Sequence, residues 1–83
     1  MHRYSSVSAF LAHYYALRNL PRSAQTEDDR NHLAAIELLL ELLRPEEREA
    51  VVSSSNDPAA VRHRERASMR LRRELMARGA LDA

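Results

Sequence analysis

Residues 33 to 43 read LAAIELLLELL, and this stretch decides the fold. On a helical wheel, Glu37 and Glu41 share one narrow stripe with Arg30 and Arg44, while leucine and isoleucine occupy most of the remaining circumference. An ordinary surface helix buries a stripe about 100° wide, whereas this one needs cover over roughly 200°. We therefore expect the central helix of a bundle, or a helix that also meets another copy of the chain.

The rest of the chain predicts a small all-α bundle of about four helices in a single domain, residues 1–83. We expect helices at residues 6–19, 27–44, 46–52 and 58–78 around the central leucine-rich helix. Hydroxyl residues suited to N-caps precede the first two helices, and Pro45 and Pro58 suit the first positions of the other two. Gly79 supplies a left-handed stop after the last helix.

Self-association follows from the chain's size and composition. A chain of 83 residues buries only about 60–65% of its unfolded surface, and the absence of cysteine excludes disulfides and thiolate metal sites. Small chains without such staples often oligomerise. We expect a homodimer whose contacts include Leu38, Leu39 and Leu42, because this side of the leucine-rich helix lies farthest from Glu37.

Charge is divided unevenly along the chain, although the formal net charge is only +1. All 13 basic residues are arginine. Residues 1–22 carry +3, residues 23–57 carry −6 and residues 58–83 carry +4, which sum to +1. Such asymmetry is typical of internal charge pairing or of a polyanionic partner for the chain's ends.

The last helix combines an apolar face with a basic one. Arg62, Arg66, Arg70 and Arg73 follow one another at spacings of four, four and three on the face opposite Leu71, so they form a ridge about 16 Å long. His63 and Arg64 lie beside the start of this ridge. Guanidinium groups in such a row suit phosphate oxygens, so we expect these six residues to contact DNA or RNA.

Two segments carry a family resemblance. PEEREAV at Pro45–Val51 and VRHRERASMRLRREL at Val61–Leu75 resemble the two ends of region 4 of bacterial sigma factors, a helix-turn-helix domain. The resemblance covers about the C-terminal half of the chain and implies transcription regulation. It implies that Arg62, Arg64 and Arg66 lie near the start of a recognition helix.

The same resemblance makes Leu71 and Leu75 core anchors. The family has a further helix and turn between the positions of Val52 and Val61, where this chain has only eight residues. In the family, that helix holds the recognition helix in place across the major groove of DNA. The resemblance therefore implies a basic helix supported by other helices, rather than a complete helix-turn-helix that recognises a base sequence.

A different function remains open from the residues alone. The basic ridge also suits a solvated face or a contact with an acidic protein partner. In that case the chain is a homodimeric protein-interaction adaptor without a nucleic-acid role, and its leucine surface recognises the partner. No nucleophile, phosphate-loop or metalloprotease motif is present, so we expect no enzyme, catalytic residue, cofactor or metal. No apolar run approaches the ~18 residues of a membrane span, and we expect a cytoplasmic protein without membrane contact.

Overall fold

Four α-helices follow one another in the part of the chain that the computed structural model describes, residues 3–53 and 55–82. They are α1 (Val7–Asn19), α2 (Glu27–Leu40), α3 (Pro45–Ser53) and α4 (Pro58–Ala77), with a single 3-10 turn at Arg22–Ala24 between α1 and α2. The predicted all-α class is confirmed. The predicted bounds agree within one residue except at the end of α2.

Residues with hydroxyl side chains cap the N-termini of the first two helices. Ser6 accepts a hydrogen bond from the backbone N–H of Ala9 at the start of α1. At the start of α2, Thr26 and Asp29 exchange hydrogen bonds between side chain and backbone, both 3.1 Å long. This reciprocal capping box satisfies two amide donors that the first helical turn leaves without partners.

The leucine-rich helix ends at Leu40, four residues before the predicted end. The N–H groups of Leu42 and Leu43 bond to carbonyls only three residues earlier, so the chain tightens after Leu40. The residue before Pro45 is disfavoured in the α region, which prevents α2 from continuing into α3. The tighter turn brings Leu43 into the core and leaves Leu42 in solvent.

A Schellman motif ends α4 at the predicted glycine. The N–H of Ala80 donates to the carbonyl of Leu75 at 2.8 Å, and the N–H of Gly79 donates to Met76 at 3.1 Å. Gly79 has φ +67°, a conformation that side chains with a Cβ disfavour. The motif turns the chain back toward α1.

The core forms where α4 crosses the other helices. Helix α4 packs against α1, α2 and α3, whereas α2 packs mainly on α1 and α4. The prediction placed the leucine-rich helix at the centre, and in the structure α4 takes that position. Its 20 residues are long enough to reach all three partners. The buried apolar side chains are Tyr4, Phe10, Leu11, Tyr14, Leu17, Ile36, Leu40, Leu43, Ala50, Val51, Ala67, Leu71, Leu75 and Ala80.

Side chains of α1 also satisfy the end of α3. The Tyr15 hydroxyl donates to the carbonyl of Val51 at 2.7 Å, and the Arg18 guanidinium donates to the carbonyl of Val52. The last carbonyls of a helix have no partner within it, so these bonds cap α3 in place of a glycine. They also fix α1 against the α3–α4 pair.

The two terminal segments meet beside the core. Tyr4 and Leu81 form an isolated parallel bridge, in which the N–H of Tyr4 donates to Ala80 at 2.9 Å and the N–H of Asp82 donates to Tyr4 at 2.8 Å. An ion pair of 3.2 Å joins Arg3 to Asp82. This pairing had no sequence signal, because neither segment alternates like a strand.

The capping box should be measurable in stability. We expect Thr26→Ala to lower the free energy of unfolding by about 1 kcal/mol, because the N–H of Asp29 loses its acceptor. Chemical denaturation followed by circular dichroism measures this difference. Ser23→Ala, in the exposed 3-10 turn, is the matched control and should leave stability unchanged. Equal stability of the two variants would contradict the role of the cap.

The same box predicts an effect of pH. The backbone N–H of Thr26, and then its side chain, hold the pKa of Asp29 below its ordinary value of 3.8. A depressed folded-state pKa means that this stabilisation is present above the unfolded-state value and is lost as pH falls through the folded-state value. Carboxyl NMR titration should give a midpoint below 3.8 for Asp29, and Thr26→Ala should raise it. A native midpoint at or above 3.8 would contradict the assignment.

Candidate nucleic-acid interface

A polar groove of about 290 Å³ lies between the start of α3 and the middle of α4. Its walls hold four arginines and two glutamates, a formal balance of +2. The lining residues are Arg44, Glu46, Glu47, Arg66, Met69, Arg70 and Arg73. We call this surface the arginine groove.

A buried carboxylate holds the arginine groove together. Glu47 is only 1% exposed, and its side chain accepts a hydrogen bond from the backbone N–H of Arg44 at 3.2 Å. The Nε of Arg70 lies 2.9 Å from the same oxygen, Oε1, and also donates to Oε2 at 3.2 Å. A buried charge is costly unless it is paired and hydrogen-bonded, so these contacts compensate for the burial of Glu47.

The predicted arginine ridge divides into two parts in the structure. Arg66, Arg70 and Arg73 come together in the groove, and Arg62 is exposed one turn earlier on the same helix. Arg62, Arg66 and Arg73 have no ion pair among the described residues. Arg70 differs because it neutralises Glu47, although its side chain remains 44% exposed. Arg70 therefore stabilises the contact between α3 and α4, a role that a helical wheel of α4 does not reveal.

His63 and Arg64 lie away from the arginine groove. Arg64 is half-buried and donates to the backbone carbonyl of Ser55, which ties α4 to the loop before it. His63 lines a separate depression with Glu46 and Glu49 of α3, and its Nδ1 is buried without a hydrogen-bond partner in the described chain. Neither His63 nor Arg64 lines the arginine groove. Their predicted contacts with phosphate therefore have no support from this geometry.

Arg44 lines the arginine groove, although its position in the sequence did not predict this. It sits in the acidic middle of the chain, so the charge pattern hides it, but the fold brings it beside the ridge. The sequence held a signal for Glu47 but none for the Arg44 side chain: a glutamate three residues after an N-cap often accepts the backbone N–H of that cap, and Glu47 accepts the N–H of Arg44.

A second, apolar groove of about 460 Å³ runs between α2, the start of α1 and the end of α4. Leu38, Leu39 and Leu42, the predicted self-association residues, all line it. Leu38 is 66% exposed and Leu42 is 53% exposed, while Leu39 is half-buried. Tyr4 lines the opposite wall, where its hydroxyl lies 2.8 Å from His13 Nδ1 and burial raises its pKa. We call this surface the apolar groove.

The three histidines that the structure describes do not converge into one cluster. The rings of His13 and His32 lie 5.8 Å apart, whereas His63 lies against α3. Residues 3–53 and 55–82 contain no group of three or more histidine, cysteine, aspartate or glutamate side chains arranged to hold a metal. Within the same residues, no helix has the length and apolar character needed to cross a membrane.

Comparisons with known proteins give no match: no family, no curated protein and no solved structure corresponds to this chain. The resemblance to sigma factor region 4 therefore stays a prediction.

The pairing of Arg70 with Glu47 can be tested by stability. We expect Arg70→Ala to lower the free energy of unfolding by about 2 kcal/mol, because it leaves a buried carboxylate without its cation. Arg66→Ala, which has no such partner, should change stability by less than about 0.5 kcal/mol. Denaturant titration measures both.

A rescue variant separates the charge from simple packing. Adding Glu47→Gln to Arg70→Ala removes the stranded charge and keeps an acceptor for the N–H of Arg44. The double variant should recover most of the stability lost in Arg70→Ala. If the double variant is instead less stable than the single one, the burial cost of the carboxylate is not what Arg70 offsets.

Proposed function

We propose that this chain is a non-enzymatic binding module that holds the phosphate backbone of a nucleic acid and serves transcription regulation in the cytoplasm. The observation that carries the proposal is the arginine groove. Three of its arginines, Arg44, Arg66 and Arg73, have no ion pair within the described chain. Four guanidinium groups on one small surface favour an anionic ligand with several charges.

The length of the basic surface supports a polymer rather than a single anion. From Arg62 to Arg73 the helix axis advances about 16 Å, and each strand of duplex DNA presents a phosphate about every 3.4 Å along its axis. The row is therefore long enough to contact more than one phosphate of a strand. A small anion needs only one pair of these arginines, whereas the whole row matches a backbone.

Contacts of this type position a protein but do not read bases. Arginines on phosphates are independent of sequence, and specificity requires side chains that reach base edges in a groove. Arg64, which the sigma factor resemblance makes a reading residue, is engaged with the carbonyl of Ser55. We therefore expect weak sequence preference and strong salt dependence.

A titration with labelled duplex DNA and RNA at several salt concentrations tests this function. The variant Arg62→Ala, Arg66→Ala, Arg73→Ala leaves Arg70 in place, so Glu47 keeps its partner. If each of the three arginines contacts one phosphate, the slope of log affinity against log salt should become less steep by about 2.7. Circular dichroism verifies that the variant folds.

A triple variant elsewhere provides the matched control. Arg22→Ala, Arg30→Ala, Arg48→Ala changes the net charge equally at exposed residues outside the arginine groove. It should bind with nearly the native salt slope. Absence of binding at low salt, or equal loss in both triple variants, would contradict a localised phosphate surface.

The alternative function, a protein-interaction adaptor without a nucleic-acid role, is favoured by the apolar groove alone. Exposed leucines such as Leu38 and Leu42 are typical of protein contacts. The two functions differ in the same titration, because an adaptor binds neither DNA nor RNA at low salt.

A further inference from the structure

One stripe of α2 stays uncovered although it has the spacing of a helix-pairing seam. Asn31, Ala35, Leu38 and Leu42 follow one another at intervals of four, three and four residues, the alternation of a and d positions in paired helices. All four are exposed. Asn31, Ala35 and Leu38 lie on α2, and Leu42 lies in the tight turn that follows this helix.

We propose that two copies of this chain pair through this stripe, with the two α2 helices antiparallel about a twofold axis. A twofold contact uses the same patch on both subunits, so the patch must be complementary to itself. In this pairing Ala35 lies opposite Leu38 of the second copy, and Asn31 lies opposite Leu42. Every apolar residue of the stripe then gains a partner.

Charge selects the antiparallel direction. The first turn of α2 carries Glu27, Asp28 and Asp29. A parallel pair puts the acidic turns of both copies side by side, which is repulsive. The antiparallel pair places the two acidic turns at opposite ends of the contact, and it also opposes the two helix dipoles.

The apolar groove gives the second copy a place to enter. Leu38 and Leu42 form one wall of a cavity of about 460 Å³, whose floor includes Ile36 and Leu75. A helix packs by inserting its ridge of side chains into a groove of its neighbour. Leucines of the second copy fill this cavity, and the small side chain of Ala35 lets the two helices approach closely.

The size of the stripe sets the strength of the pairing. Residues 31 to 42 extend over about 16 Å of helix axis, so the contact buries less than the ~800 Å² per partner of a standard interface. We therefore expect a reversible dimer whose population depends on concentration. The apolar and arginine grooves share no lining residue, so pairing leaves the arginines accessible.

Analytical ultracentrifugation of the full chain from micromolar to millimolar concentration tests the pairing without nucleic acid. The native chain should shift from monomer to dimer over this range. Leu38→Glu should remain a monomer, because it places a carboxylate in the seam. Met69→Glu is the matched control: Met69 is 67% exposed, almost equal to Leu38, but lines the arginine groove.

The control variant should dimerise like the native chain. A native chain that stays monomeric at all concentrations would overturn the proposal. So would a Leu38→Glu chain that dimerises as well as Met69→Glu. Because no nucleic acid is present, failure here leaves the proposed phosphate binding standing, and failure of the DNA titration leaves the dimer standing.

Single cysteines test the direction of the helices, since the native chain has none. Asn31→Cys and Leu42→Cys chains, mixed in equal amounts and oxidised, should form mostly the mixed disulfide, because these positions face each other in the antiparallel pair. Mass spectrometry distinguishes the mixed product from the two homodimers. Predominance of the homodimers indicates parallel helices and would overturn the proposed arrangement.

Discussion

The carboxylate of Glu47 is the polar group on which the arrangement of α3 and α4 depends. It is buried at the start of α3, where the positive end of the helix dipole and the N–H of Arg44 favour its charge. The Nε of Arg70 completes its coordination from α4 at 2.9 Å. Because loss of a partner leaves the buried carboxylate uncompensated, the ion pair with Arg70 opposes rotation or sliding of α3 on α4.

This arrangement separates two surfaces on one long helix. The middle of α4 presents Arg66 and Arg73 to the arginine groove, and the end of α4 presents Leu75 and Arg78 to the apolar groove. The arginine groove rests on the rigid α3–α4 pair, and the apolar groove rests on α2 and the two terminal segments. A ligand on one surface therefore need not disturb the other.

The helices were predictable because their signals are local. Thr26, Pro45 and Gly79 each act within one turn of the chain, and each begins or ends a helix as predicted. The end of α2 was wrong by four residues because it depends on how Leu43 reaches the core. The uncovered side of α2 was anticipated at Leu38 and Leu42, since the wheel shows more apolar circumference than three other helices can cover.

The candidate site was less predictable because it depends on contacts between helices. A wheel of α4 treats Arg62, Arg66, Arg70 and Arg73 as equal, yet Arg70 is distinguished by a glutamate 23 positions earlier. The same limitation hid Arg44, and it gave His63 and Arg64 the same weight as the exposed arginines. Pairings across this sequence distance have no periodicity, so only the folded chain reveals them.

The bridge between Tyr4 and Leu81 bears on the order in which the molecule assembles. The bridge closes a loop that contains almost the whole chain, and it contributes two backbone hydrogen bonds. The entropy of loop closure therefore opposes the bridge until α1 and α4 have packed. Its formation therefore depends on the prior packing of these two helices, whereas the helices themselves form from local contacts. Since Tyr4 and Ala80 line the apolar groove, the shape of that cavity depends on a contact between segments almost a whole chain apart in sequence.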